Sequence, residues 1–123
     1  MRDGVIFREE RGMLNMNRGT DVETQYEKLA KAFRALSDPK RVRIIDLLSC
    51  GELCACVLLK CFEITQPTLS HDMRVLIEAD LVRSRRDGKR IYYSLNEDFF
   101  RELNIKMQEI CRKVSGKGKT PCC

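Results

Sequence analysis

The sequence predicts a mainly α-helical domain carrying one β-hairpin, an α+β arrangement, on three observations. Apolar residues recur at three- and four-residue steps through most of residues 22–114. Two prolines each follow a good helix cap, in Ser37-Asp38-Pro39 and Thr65-Gln66-Pro67. One stretch, LVRSRRDGKRIYYSL, instead sets basic, β-branched and aromatic runs on either side of Asp87-Gly88, the pattern of a hairpin. With 123 residues the chain has room for one modest core.

Residues 1–20 contain three glycines and no sustained period, so they read as a mobile tail. Tyr26, Leu29, Ala30, Phe33 and Leu36 then mark a first helix that stops at Ser37-Asp38-Pro39. Asp38 caps a second helix with Pro39 in its first turn. Val42, Ile44, Ile45, Leu47 and Leu48 form its apolar face, and Gly51 ends it. A short third helix is expected over Leu53–Phe62. Thr65 caps a fourth, whose Leu69, Met73, Leu76 and Ile77 share one face, while Thr68, His71, Asp72 and Val75 lie on another. After the hairpin, Phe99, Leu103, Met107, Ile110, Cys111 and Val114 trace a fifth helix, and residues 116–123 form a flexible, cysteine-containing tail.

A short helix followed by a longer one with a polar face is the layout of a helix-turn-helix, and a basic ribbon directly after it makes a winged helix. Charge supports that order. The net charge is +5, but residues 81–90 hold five Arg/Lys against one Asp, and residues 112–119 hold four basic residues and no acid. A ribbon tip carrying Arg83, Arg85, Arg86, Lys89 and Arg90 suits a phosphate backbone. The alternative is an α+β domain whose polar helix simply faces water. No apolar run reaches the roughly 18 residues of a membrane helix, and the N-terminus carries charge where a signal peptide is apolar. A cytoplasmic protein without membrane contact is therefore expected. In that reducing setting its seven cysteines, an odd number, point to free, metal-binding or redox-active thiols.

At this point ALSDPKRVRIIDLLSCGELCAC and QPTLSHDMRVLIEADLVRSRRDGKRIYYSL closely resemble the ArsR/SmtB family of metalloregulatory repressors, of the arsenic-responsive type. The resemblance runs from about Tyr26 to Leu95 and into the terminal helix. It implies a homodimeric winged helix-turn-helix over residues 21–115, serving both DNA binding and dimerisation. Such a protein binds double-stranded operator DNA and leaves it when a thiophilic ion arrives. The terminal helix, with the first, is expected to build the dimer interface from the Phe99/Leu103/Met107/Ile110 stripe. Two departures stand out. The arsenic-type box commonly reads CxCDxC, whereas here Val57 replaces the Asp and Leu59 replaces the third Cys. Family members with zinc on the terminal helix use Asp and His ligands there, whereas the only histidine of this chain is His71.

Soft thiolates select soft ions, so the expected effector is trivalent arsenic or antimony, with cadmium or lead as alternatives; no resident cofactor is required. Cys54 and Cys56 are the expected ligands. On an ideal helix residues two apart are rotated by about 200° and point opposite ways, while in an extended segment they share a face. Chelation by both is therefore expected to deform the start of the third helix and so disturb the recognition helix after it. For a third ligand the candidates are Cys61, Cys50, Cys122 and Cys123. Cys61 lies about 10 Å further along an intact helix axis, Cys50 in the preceding turn, and the last two in the tail. Cys111 reads as a packing residue on the terminal helix.

By resemblance and polarity, Gln66, Thr68, Ser70, His71 and Arg74 should face DNA, with Arg85, Arg86, Lys89 and Arg90 reaching phosphates from the wing. Two such helices imply an operator with inverted half-sites about one helical turn apart. A thiol redox sensor, or a metal-buffering or protein-interaction module without an operator, are the competing readings. No nucleophile–base pair suggests an enzyme.

Overall fold

The computed structural model describes residues 18–115, with side chains described over residues 24–114. Five helices and three strands follow in the order α1 (Arg18–Ala35), α2 (Pro39–Leu48), β1 (Leu53–Cys54), α3 (Ala55–Cys61), α4 (Gln66–Glu78), β2 (Val82–Asp87), β3 (Arg90–Leu95) and α5 (Glu97–Ser115). The expected architecture is present, with differences at its edges. Residues 18–20, assigned to the tail, are helical, so α1 starts earlier than its apolar pattern suggests. The tail assignments for residues 1–17 and 116–123 lie outside the described residues.

The chain divides within α1 into a unit ending at Lys31 and a second starting at Ala32. In the first unit, α1 carries an exposed Tyr26 and a half-buried Leu29. The second unit holds the core. Ala32 and Ala35 of α1, Ile44 and Leu48 of α2, and Leu58 and Phe62 in and after α3 pack there with Leu69, Met73 and Leu76 of α4. Leu81, Val82, Tyr93 and Phe99 complete it. Burial of each such side chain removes apolar area from water at about 25 cal/mol per Å², the main term holding the domain together.

Helix starts follow the local chemistry read from the sequence. Asp38 Oδ1 accepts the Lys40 backbone N–H at 2.8 Å, and Pro39 fills a position where no N–H is needed. Thr65 Oγ1 accepts the Thr68 N–H at 3.4 Å and lies 2.9 Å from the Thr68 hydroxyl. Asn96, before acidic Glu97 and Asp98, accepts the Phe99 N–H at 3.4 Å.

The largest difference from expectation concerns Leu53 and Cys54. They are not the first turn of α3 but a short strand, which makes the hairpin a three-stranded antiparallel sheet of order β1-β3-β2. Leu53 pairs with Tyr93 and Cys54 with Tyr92. The partner strand is some forty residues away in sequence, so no local pattern could reveal it. In the hairpin itself Asp87 pairs with Arg90, and Gly88 turns the chain at φ 65°, a conformation that costs glycine nothing.

Asp72, placed by its spacing on the polar side of α4, is buried instead. Its Oδ1 accepts from Arg41 Nη1 at 3.1 Å. Oδ2 takes no hydrogen bond and is balanced by the Lys40 ammonium 2.9 Å away. Arg41 also donates to the Ala35 carbonyl at 2.6 Å, so one basic pair at the start of α2 fastens both the end of α1 and the middle of α4.

Candidate functional site

Helix α4 presents Gln66, Thr68, Ser70, His71 and Arg74 to solvent, while Leu69, Met73 and Leu76 anchor its opposite side in the core. Period 3.6 thus separates a polar, solvent-facing side from a packing side. The short α3 precedes it, and the β2–β3 ribbon follows with Arg83, Arg85, Arg86, Lys89 and Arg90 all exposed. These wing cations are not equivalent. Arg86 and Lys89 stand at the tip. Arg85 is held by Glu52 through two hydrogen bonds of 2.8 Å, Nε to Oε2 and Nη2 to Oε1, and lies 4.5 Å over the Tyr92 ring. The pairing lowers the Glu52 carboxyl below its usual range, chiefly through the Arg85 hydrogen bond.

The thiols are arranged by the strand. Cys54 has extended backbone angles, φ −74° and ψ 149°, and caps α3, its Sγ accepting the Cys56 backbone N–H at 3.4 Å. The Cys56 thiol donates to the same sulfur, with the two Sγ atoms 2.7 Å apart. This corrects the expectation that α3 must unwind before both thiols can meet. Because Cys54 lies outside the helix, the two thiols already lie on one side. These bonds from Cys56, followed by the nearby Arg90 charge, hold the Cys54 thiol below its usual pKa. Arg90 in turn is raised, chiefly by neighbouring Tyr92.

The third-ligand candidates are not brought in. Cys50 and Cys61 are exposed, and among the described residues no group of three Cys, His, Asp or Glu is placed to hold an ion. Cys122 and Cys123 lie outside the described residues. On α5, Phe99 leaves the proposed interface stripe: it is 6% exposed, packed into the core from the helix's first turn. Ile105, Met107, Ile110 and Val114 form the exposed apolar part of α5 instead, 37–82% accessible, with Ile105 absent from the sequence reading. Glu52 and Asn96 were also missed. Asn-Glu-Asp is a helix-start signal that could have revealed Asn96, whereas nothing local marks Glu52 as a partner of Arg85.

A short helix, a longer helix with a polar outer face and a basic ribbon behind it define a winged helix-turn-helix domain. A solution structure of a homodimeric winged helix-turn-helix DNA-binding domain from Mycobacterium bovis shares this fold. Its TM-score is 0.63 at 23% identity, with 89% of this chain and 100% of that one covered. Residues 38–84 match the model of the bacterial regulatory proteins of the arsR family. An arsenical resistance operon repressor of Staphylococcus xylosus is 49% identical over 85 residues, covering 69% of this chain and 82% of the relative. A repressor of the same name from Staphylococcus aureus is 49% identical over 97 residues, covering 72% and 93%. The chain belongs to the arsR family of bacterial transcriptional regulators.

Proposed function

We propose that this protein is a homodimeric operator-binding repressor relieved by trivalent arsenic or antimony bound at Cys54 and Cys56. The observation that carries the effector reading is the preformed thiol pair, two sulfurs 2.7 Å apart at the start of α3 and no histidine beside them. Two thiolates sharing one ion sit roughly 3.5–4 Å apart, so a small opening accommodates it. Sulfur-only donors favour arsenic and antimony over zinc, which prefers a closed set of four. The names of the two staphylococcal relatives agree with an arsenical response.

Operator contact falls to Gln66, Thr68, Ser70, His71 and Arg74 in the groove, with Arg86, Lys89 and Arg90 toward phosphates; the charge of Arg85 is shared with Glu52. The exposed apolar side of α5 supplies the surface for a second copy. Relief requires the ion-bound dimer to hold operator less tightly. A hundredfold loss corresponds to about 2.7 kcal/mol of coupling, and operator must weaken ion binding by the same factor.

The test is fluorescence anisotropy of a promoter duplex titrated with full-length protein, with and without arsenite. Wild type should lose affinity about a hundredfold. Cys54→Ser and Cys56→Ser should bind operator as wild type does but ignore arsenite. Release by cadmium with no response to arsenite would move the effector assignment to the divalent soft metals. Peroxide-driven release reversed by dithiothreitol, with ions inert, would make it a redox sensor.

A further inference from the structure

Between the thiol pair and the wing runs a connection that neither the reading helix nor the ion chemistry requires. Cys54 on β1 pairs with Tyr92 on β3, and Tyr92 pairs with Arg85 on β2. Residues directly opposite on antiparallel strands project to the same side of a sheet, so these three share one rung and one face. Glu52, two residues ahead of Cys54, closes the path by gripping Arg85 with both carboxylate oxygens at 2.8 Å. The Arg85 guanidinium is thus clamped in its plane by Glu52 and from below by the Tyr92 ring.

We infer that Glu52 is a positioning residue for the effector response, its clasp on Arg85 carrying movement of the Cys54–Cys56 segment directly into the wing. Arg85 is then a strut, not a phosphate contact. Three considerations lead there. A guanidinium doubly bonded to a carboxylate presents little net charge to DNA, and the fork geometry fixes direction as well as distance. An ion held by both thiolates sets the separation of their sulfurs, and so bears on the Cys54–Cys56 segment. Cys54 is tied into the ladder with Tyr92, so its displacement passes to β3 and to Glu52, and from each to Arg85. The wing tip, with Arg86 and Lys89 exposed, is the end that moves. Exposed ion pairs contribute little to stability, so the clasp can be cut without unfolding the domain.

The inference rests on the repressor reading above, and one experiment separates the two. Operator affinity of the full chain is measured with and without arsenite for wild type, Glu52→Gln and Arg85→Gln. Arsenite uptake is measured alongside. The arsenite-induced loss should shrink from about a hundredfold to under about tenfold in each single variant, with arsenite still taken up. Affinity without arsenite should change by less than about threefold. A single variant that responds like wild type overturns the inference and leaves the repressor reading standing. So does an Arg85→Gln variant that loses operator affinity outright, since Arg85 would then be a phosphate contact. A wild-type complex untouched by arsenite removes both.

Discussion

Cys54 is a buried sulfur that receives two hydrogen bonds from Cys56 and lies near Arg90, and its acidity follows from those contacts. A divalent soft cation such as cadmium displaces the thiol protons, so its binding strengthens as pH rises. Arsenous acid instead carries the thiol protons away as water and shows no such gain. With the folded Cys54 thiol lowered from 9.0, its share of the cadmium gain should be complete at a lower pH than that of an unperturbed thiol. Cadmium titrations at a series of pH values check this, and Arg90→Gln should move the Cys54 share upward. Asp72 makes a second residue-scale case. Removing it by Asp72→Ala strands Arg41 and Lys40 against the core and should cost about 3 kcal/mol, read by urea unfolding at fixed protein concentration. The thiol spacing was legible in the sequence because ligands for one ion must lie close in the chain or be brought together. The conformation of Cys54 was not, because a partner strand some forty residues away overrides its local helical setting. For the same reason Asp72 read as solvent-facing: its burial depends on two cations from another helix.

At the scale of elements, caps and periodicity carried the reading. Asp38-Pro39 and Thr65-Gln66-Pro67 start α2 and α4 where their chemistry says they should, and the buried side of α4 is the one its apolar spacing marks. Strand β1 escaped because two residues are too few to show a period. On α5 the period was right but its division was not: the stripe runs from the protomer's own core at Phe99 to exposed Ile110 and Val114. A charge on the exposed part tests its role. Ile110→Glu should shift the protein from dimer toward monomer in sedimentation velocity, and operator affinity should fall with it while α-helical circular dichroism is kept.

For the whole molecule, the proposed dimer would hold DNA in proportion to how many phosphates it neutralises. With three or four per subunit, log K should fall against log salt with a slope of about −5 to −7. Replacing both Arg86 and Lys89 by Ala removes up to four such contacts per dimer and should flatten the slope by about 3. Anisotropy titrations across a salt series read this directly. The fold class was legible at this scale from element order and charge alone, because a basic ribbon after a short-then-long helix pair leaves few arrangements. The pairing of Cys54 with Tyr92 and of Tyr92 with Arg85 was not, since it consists of rungs across a sheet.

Asn96 joins the parts of this reader more tightly than element order suggests. Its side-chain amide donates to the Asp80 carbonyl at 2.9 Å, its backbone N–H donates to Leu81 at 3.0 Å, and its side-chain oxygen accepts from Arg83 at 3.0 Å. Asp80, at φ 64°, is the left-handed residue on which α4 ends. One side chain therefore staples the end of the reading helix to the exit of the wing and the start of α5. The three elements have no independent way to fray at that corner. Local opening there breaks these bonds together, so the amides of Asn96 and Phe99 should exchange with solvent at a common rate, read by hydrogen exchange.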